Sequence, residues 1–408
     1  MAAEAMRASM RSQYRRLMAL TLIVALAGCA PASNDTKAVG AGDPSVPSAT
    51  SPSPSESVEG FPTELFADLG EEPVSDALAA ELQKALDASA NGHGLTAAVI
   101  SPEGNWNGAT GFAAEDRAMV PNDQMPIAHI TQTIVAAQVM QLVETGNLSL
   151  DDLAADRLPP GLGFDTSGVS IADLLSHRSG LPETLHARHW GKRLTTDPQH
   201  AWTIDELLGT VGPERGPVVT NFEYRGINYV LLGLIVEHDT GRSLADVLRD
   251  GVLKGDGSDR LIYQPDERPT DPMAMPAGAS GDTLNEVGGS LPSLAFATAY
   301  KAEGAMAADS PSLARWFRGL CAGEVVSAPS LNEMTDFTKR PEYGLGLADE
   351  RGEYSWDSGA VGHTGSAQDG YTSAAQCFQQ QGIVVVVMAN AAHDVDTVVG
   401  DLWRAVST

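Results

Sequence analysis

The chain has 408 residues, with 53 acidic and 26 basic side chains and a formal net charge of −27. This charge argues against nucleic acid as a partner, because phosphate binding needs clustered Lys and Arg. Hydrophobic residues make up 43% of the chain, enough to build one large or two modest folded domains. The three cysteines exclude a disulfide framework and lack zinc-type spacing, so we expect no metal and no cofactor.

Residues 1–28 have the pattern of a bacterial secretory signal, in which a basic region precedes a short apolar run. The run ends in Leu26-Ala27-Gly28-Cys29, which is similar to a lipobox. We predict that Cys29 is lipidated and anchors the protein to the extracytoplasmic face of the bacterial cell membrane. The alternatives are an uncleaved membrane anchor and a plain signal peptide with a chance cysteine.

The segment that follows is predicted to be a disordered tether over 29–72. From Pro31 to Gly60, 21 of 30 residues are Ala, Pro, Ser, Thr or Gly, and none is aromatic. Such a stretch buries too little apolar surface to offset the entropy lost on ordering. We expect ordered structure to begin near Phe61–Leu69 and the folded domain to occupy 73–408.

Apolar periodicity predicts both helices and strands in this domain. The predicted helices are 74–90, 127–144, 171–182 (ending in a turn), 229–240, 312–322 and 395–406, and the predicted strands are 94–100, 104–112, 371–378 and 383–388. Residues 183–223 are read as loop-rich and 254–300 as an irregular excursion. This order predicts an α+β fold, with an antiparallel sheet flanked by helices and a mostly helical subdomain.

Four stretches in chain order carry a resemblance to a known family. They are Ile127–Thr133 leading into 139–152, Leu174–Pro182 with its Ser-His-x-Ser-Gly-Leu-Pro turn, Phe222–Leu234, and 362–366 (Gly-His-Thr-Gly-Ser) with 369–373 (Asp-Gly-Tyr-Thr-Ser). Over about residues 75–405 the sequence resembles the serine β-lactamase and penicillin-binding-protein-like superfamily, in its class C and esterase branch. The resemblance implies a β-lactamase-like fold.

The resemblance also implies where catalytic groups should stand. In that family a serine begins a buried helix and a lysine three residues later handles its proton. Here those positions hold His129 and Gln132. The second motif keeps Tyr224 but has Gly226 where the family has asparagine. The strand motif, from His363 to Gly365, is intact. We expect these side chains to converge in one cleft whose acyl-transfer groups have been lost.

Several roles remain open for the residues of this cleft. His129 is interpreted as a group that fills the old site and bonds to Tyr224 or a ligand, with a nucleophilic role as the alternative. A metal held by His129 and His363 is a further alternative, although no third ligand is evident. Arg225 is either a solvated charge or an anion clamp.

The hydroxyls beside the lost serine, Thr131, Thr133 and Ser366, are candidates for a displaced nucleophile. Most such hydroxyls only satisfy backbone groups. Cys321 and Cys377 remain after lipidation of Cys29, and they are weighed equally as a disulfide or as two buried thiols.

The leading hypothesis is a catalytically inactive envelope lipoprotein that binds a peptidoglycan-derived peptide or another envelope protein. The rival is an active esterase, D-aminopeptidase or β-lactamase-like hydrolase with a non-standard nucleophile. A third hypothesis gives the function to the surface of the fold rather than to its cleft.

Overall fold

The computed structural model describes residues 60–183, 190–210, 218–255, 257–269, 273–277, 289–350, 359–367 and 370–407. The predicted signal 1–28, Cys29 and most of the predicted tether lie outside these residues. A compact unit begins at Phe61, within the stretch where ordered structure is expected to start and ahead of the predicted domain at 73–408. Phe66, five residues after this start, is already fully buried in the hydrophobic core.

A six-stranded antiparallel sheet, in the order β2-β1-β11-β10-β9-β8, forms the centre of this unit. A small sheet has the order β5-β7-β6, and β3 pairs with β4. The strands are β1 (Leu95–Ser101), β2 (Gly104–Thr110), β3 (Phe112–Ala114), β4 (Arg117–Ala118), β5 (Met125–Pro126), β6 (Ile262–Tyr263), β7 (Met306–Ala308), β8 (Ala348–Asp349), β9 (Ala360–Ser366), β10 (Thr372–Phe378) and β11 (Ile383–Ala389).

Helices cover both faces of the central sheet. They are α1 (Glu64–Ala67), α2 (Asp76–Ser89), α3 (Ile130–Glu144), α4 (Ala154–Arg157), α5 (Ile171–Leu175), α6 (Trp190–Thr196), α7 (Ile204–Gly209), α8 (Ile227–Thr240), α9 (Leu244–Asp250), α10 (Leu294–Tyr300), α11 (Ser310–Cys321), α12 (Ala328–Met334) and α13 (Val395–Val406), with a 3-10 helix at Lys301–Glu303.

The sheet separates two hydrophobic cores. Val384, Val386 and Met388 of β11 face the larger core, which contains α3, α8 and α11. The intervening residues of β11 face the smaller core, with α2 and α13. Burial on both faces explains why this strand is apolar at every position instead of alternating. Helix α3 also packs against β9, and the predicted site residues lie where the two elements meet.

The predicted α+β architecture agrees with the structure, and the differences have local causes. The helix predicted from 127 begins at Ile130, because Ala128 adopts a left-handed backbone with φ of 44°. The regions read as loop-rich or irregular contain α6, α7 and α10. These helices have six or seven residues, too few for apolar periodicity to reveal. Thr203 and Ser293 cap the last two, so the capping residues were the available signal.

Two further sequence questions concern cysteines and membrane spans. Cys321 at the end of α11 and Cys377 of β10 form a disulfide, which favours the first of the two equally weighed alternatives. It ties a helix of the larger core to the central sheet. Within the described ranges, no helix has the length and hydropathy needed to cross a bilayer.

Candidate functional site

The structure brings the six predicted site residues together where α3, α8 and β9 meet. His129 immediately precedes α3 and Gln132 lies in its first turn. Tyr224 precedes α8, whose N-cap is Gly226. β9 carries His363 and Gly365 along one edge of this junction, and it pairs with β10 on one side and β8 on the other.

Gln132, at the family's lysine position, is the centre of a hydrogen-bond network. Its side-chain Nε2 donates to the Tyr224 hydroxyl at 2.5 Å. Its Oε1 lies 3.1 Å from His177 Nε2 and 3.2 Å from the Tyr343 hydroxyl oxygen. The amide is fully buried. Both ends of Gln132 are therefore occupied by protein groups, and the side chain cannot take up a proton.

Tyr224 is held between an amide and a carboxylate. Its hydroxyl accepts from Gln132 and donates to Glu303 Oε1 at 2.9 Å. Burial, with the negative charge of Glu303 as the next cause, raises the pKa of Tyr224 well above its ordinary value of 10.0. The hydroxyl consequently stays protonated at neutral pH and cannot act as a base there.

Glu303 also contacts His129. The distance from His129 Nε2 to Glu303 Oε1 is 3.3 Å, with the glutamate side chain fully buried and that of the histidine 17% exposed. The rings of His129 and Tyr224 have their centroids 5.5 Å apart. A carboxylate thus stands where it can receive protons from both His129 and Tyr224, and no sequence prediction included it.

Two glycines make room for these contacts. A Cβ atom at Gly226 would lie 2.9 Å from Glu303 Oε1 and 3.2 Å from its Cγ. Gly226 has φ of −58°, so space rather than backbone freedom requires glycine here. A Cβ atom at Gly365 would lie 2.3 Å from the Ile127 carbonyl oxygen and 3.2 Å from the His129 nitrogen. Glycine at 365 therefore lets β9 pass directly against the start of α3.

His363 closes the network on the strand side. Its Nε2 lies 2.9 Å from the Tyr343 hydroxyl, and its Nδ1 lies 2.7 Å from the Thr364 carbonyl oxygen. Burial lowers the pKa of His363 to about 4, and the bond to Thr364 opposes this shift. The ring is neutral at pH 7, with Nδ1 as the donor to Thr364 and Nε2 as the acceptor from Tyr343.

Backbone strain is concentrated around these residues. Among the described residues, five that are not glycine have positive φ, and four of them border or belong to the network: Ala128, His177, Lys301 and Glu342, at 44°, 54°, 46° and 70°. Such conformations cost about 1–3 kcal/mol each and persist where the surrounding structure imposes them. Strained residues directly precede His129 and Tyr343, and Lys301 lies two residues before Glu303.

Two other candidates from the sequence contact neighbouring backbone groups. The Arg225 guanidinium donates to the Leu181 carbonyl oxygen at 3.0 Å and to Glu223 at 2.7 Å, and its side chain stays 31% exposed, so both interpretations of this residue remain predictions. Thr131 accepts the Met306 N–H at 3.2 Å. These contacts join the start of α8 to the loop at Leu181, and α3 to β7.

The remaining alternatives concern a hydroxyl nucleophile and a metal. Thr133 donates to the Gly346 carbonyl oxygen at 2.7 Å, and Ser366 lies exposed at the end of β9. For the metal, both His363 nitrogens already face protein groups. In the part of the chain that the structure describes, no group of three His, Cys, Asp or Glu side chains is arranged to hold an ion.

Three network residues were absent from the predicted site. His177 lies in the Ser-His-x-Ser-Gly-Leu-Pro turn, for which the resemblance implies no catalytic role. Tyr343 lies in a loop without periodicity. Glu303 offered a usable signal, because it is an acid between the apolar stretches 294–300 and 304–308. A buried acid in such a setting needs partners, and here they are Tyr224 and His129.

A model of the Beta-lactamase family matches residues 79–407, and the chain belongs to that family. Penicillin-binding protein 4* from Bacillus subtilis (strain 168) is 27% identical over 182 residues, 42% of this chain. The match spans 39% of that relative's length.

Solved structures show the same fold. The D-amino acid amidase from Ochrobactrum anthropi SV3 superimposes with a TM-score of 0.68 at 22% identity, over 81% of this chain and 99% of that chain. The D-stereospecific amidohydrolase from Streptomyces sp. has a TM-score of 0.66 at 23% identity, over 79% and 97% of the two chains. The predicted family resemblance and β-lactamase-like fold are confirmed.

Proposed function

We propose that the cleft binds a peptide-like acyl compound without forming a covalent acyl-enzyme, and that the protein is a binding or accessory protein of the bacterial envelope. The hydrogen bonding of Gln132 carries this proposal. Acyl transfer to a hydroxyl needs a group that accepts its proton, and an amide does not do so. Gln132 is also fixed by three partners, Tyr224, His177 and Tyr343.

The other groups of the cleft support the same conclusion. The Tyr224 proton is directed at Glu303, and the raised pKa of this tyrosine keeps it there. His129 stands in place of the nucleophile. Because the groups for hydroxyl acyl transfer are absent while the cleft is held in a strained, ordered form, binding is the function that the geometry favours.

The ligand class follows from relatives and from the lining. The relatives are named as a penicillin-binding protein, a D-amino acid amidase and a D-stereospecific amidohydrolase. We infer that the ligand here is a peptide with a D-amino acid, such as a fragment derived from peptidoglycan. The partly exposed side chains of His129 and Tyr224 form the lining that such a compound would meet.

The proposed location is the outer face of the bacterial cell membrane, with Cys29 as the lipid anchor. The sequence 26–29 and the Cys321–Cys377 disulfide support it, because structural disulfides persist in oxidising compartments. Cell fractionation of Cys29→Ser tests the anchor. We expect soluble protein or an unprocessed precursor, and mature Cys29→Ser protein in the detergent phase would contradict the proposal.

The binding function is tested by intact mass spectrometry with a fluorescent penicillin and by calorimetry with a D-alanyl-D-alanine peptide. We expect no covalent adduct, together with measurable binding of the peptide. His129→Trp should remove binding by filling the cleft, whereas His200→Ala, on the surface, should preserve it. A stable acyl adduct on the wild-type chain, or an absence of peptide binding, would refute the proposal.

A further inference from the structure

A second cavity lies where α8, β6 and the 3-10 helix meet, and it shares no lining residue with the cleft network. Its volume is about 120 Å³, about four times the space that one molecule takes in liquid water. Val230, Leu234 and Ala302 form part of its apolar wall. The space therefore suits a small organic molecule rather than a peptide.

Tyr263 of β6 brings a hydroxyl group to this cavity that has no hydrogen-bond partner within the described ranges. The residue is only 6% exposed. Burial, followed by the negative charges of Glu237 and Asp266, raises the pKa of Tyr263 well above its ordinary value of 10.0. The hydroxyl therefore keeps its proton. Because a buried polar group without a partner costs free energy, a ligand oxygen that accepts this proton would be favoured.

Charges of both signs line the same space. Glu237 of α8 and Asp266, which follows β6, are acidic, and Lys301 at the start of the 3-10 helix is basic. Glu237 Oε1 accepts the Leu244 N–H at 3.0 Å, which fixes the position of this carboxylate. Burial raises the pKa of Asp266, and the positive charge of Lys301 opposes this shift, so the lysine acts on the carboxylate across the cavity.

The segments that carry these groups are fixed by contacts outside the cavity. Arg249 of α9 donates to both carboxylate oxygens of Glu267, at 2.7 and 2.8 Å. Glu267 in turn accepts the Tyr263 N–H at 2.8 Å. Lys301 has φ of 46°, a strained conformation of the kind that persists where the surrounding structure imposes it. The polar groups are therefore held in place before a ligand binds.

We propose that this cavity binds a small zwitterionic amino acid of the size of glycine or alanine. In the complex, the carboxylate of the amino acid contacts the Lys301 ammonium group and accepts from the Tyr263 hydroxyl, while its ammonium group faces Glu237. The apolar wall receives the hydrogen or methyl side chain. This inference is independent of the function proposed for the cleft, because the two sites have no residue in common.

The charges of the lining distinguish an amino acid from simpler ions. A plain carboxylate would meet the negative charges of Glu237 and Asp266, and a plain amine would meet the positive charge of Lys301. An amino acid carries both charges a short distance apart, so each can face its opposite. The volume of the cavity sets the second condition, because a longer side chain such as that of leucine exceeds the space.

The test is titration of the full folded chain with glycine and with racemic alanine, followed by ligand-observed NMR. Ethylamine and propionate carry one charge each and are the control compounds, and leucine tests the size limit. We expect saturable binding of glycine and alanine, with a Kd lower by about tenfold or more than that of each control. Equal binding of ethylamine or propionate would overturn the inference.

Three variants locate the binding site. Tyr263→Phe removes only a hydroxyl without a partner, so the fold should be retained while Kd rises about tenfold. Lys301→Gln removes the positive charge and should raise Kd by about tenfold or more. Lys84→Gln is the matched control, because this lysine is exposed on α2, and Kd should not change.

Circular dichroism checks that each variant is folded. If Lys301→Gln does not fold, Glu237→Gln replaces it, because its amide oxygen can still accept the Leu244 N–H. An absence of amino-acid binding, or a Kd that the folded Tyr263→Phe and charge variants leave unchanged, would overturn the inference. The D-alanyl-D-alanine peptide is titrated in parallel. Binding of the peptide without binding of glycine or alanine overturns the cavity proposal alone, and the converse overturns the cleft proposal alone.

Discussion

Among the residues that the structure describes, two histidine–glutamate pairs have the same 3.3 Å separation of Nε2 and Oε1. His129–Glu303 lies at the cleft, with side chains 17% and 0% exposed, and His200–Glu206 lies at the surface, with side chains 38% and 43% exposed. Glu206 mainly caps α7, since it accepts from the Thr203 N–H at 2.8 Å and from the Thr203 hydroxyl at 2.9 Å.

The comparison shows that distance alone does not determine what such a pair does. Water screens the surface pair and can replace either partner. The buried carboxylate of Glu303 has no such replacement, and it also receives the Tyr224 hydroxyl. Loss of the Glu303 carboxylate would therefore leave the buried Tyr224 hydroxyl without its acceptor and His129 Nε2 without the neighbouring charge.

The largest expected effect is that of Glu303→Ala on folding. We expect the free energy of unfolding to fall by about 1–3 kcal/mol, because the buried Tyr224 hydroxyl loses its acceptor. Urea denaturation followed by circular dichroism measures this change. Glu303→Gln should cost less, because the amide oxygen still accepts. If Glu303→Ala lowers the free energy of unfolding no more than removal of an exposed acid does, the His129–Glu303 pair contributes as little as the surface pair.

A second test uses a histidine that is buried without a carboxylate. The pKa of His363 is about 4, below its ordinary 6.5. As the pH falls from 6.5 toward 4, this histidine therefore binds a proton in the unfolded chain but not yet in the folded chain. Stability contributed by neutral His363 is present above pH 6.5 and lost as the pH falls toward 4. Between pH 7 and 5 this amounts to about 2 kcal/mol.

Denaturation at the two pH values, compared between wild type and His363→Gln, isolates this contribution. The variant should lose correspondingly less stability on acidification. His393→Gln is the matched control. Burial also lowers the pKa of His393, so this variant removes the contribution of His393 to the pH dependence and leaves that of His363 in place. Equal losses in wild type and His363→Gln would contradict the assigned neutral state.

A third test concerns the space that the cleft pair needs and the surface pair does not. Gly226→Ala should cost about 1–2 kcal/mol, because its Cβ would lie 2.9 Å from Glu303 Oε1 and displace a hydrogen-bonded side chain. In a Glu303→Ala background the cost should shrink. A double-mutant cycle by denaturation measures this coupling. Additive effects would show that the two positions do not interact.

The smallest effect is expected at the surface. His200→Ala should leave the melting temperature and the affinity for the D-alanyl-D-alanine peptide within experimental error, because solvent hydrates Glu206 in its place. Differential scanning calorimetry and titration calorimetry measure these quantities. A clear loss of either would mean that an exposed pair at this distance is as important as the one in the cleft.

Much of the architecture could be predicted from sequence, because it depends on periodicity and composition. The buried strand β11 and the apolar helices α3 and α8 have patterns that only a core explains. The short helices α6 and α7 were missed because two turns of helix give too few apolar repeats.

The candidate site was predictable only where a motif marked it. His129, Gln132 and Tyr224 were reached through the resemblance. Glu303 and Tyr343 join them through tertiary packing between segments far apart in the chain, which local patterns do not encode. Glycine at 226 was visible, but its physical reason is the glutamate that packs on it.

The approach of Gly226 to Glu303 has a consequence for recognising related sequences. A search for homologues that lack the family's serine and lysine would also find chains that lost these two residues independently. Glutamate at 303 needs glycine at 226, because a Cβ atom there would lie 2.9 Å from Glu303 Oε1. In an alignment of homologues, larger residues at 226 should therefore accompany smaller ones at 303, and covariation of these two columns would mark the chains that share this packing.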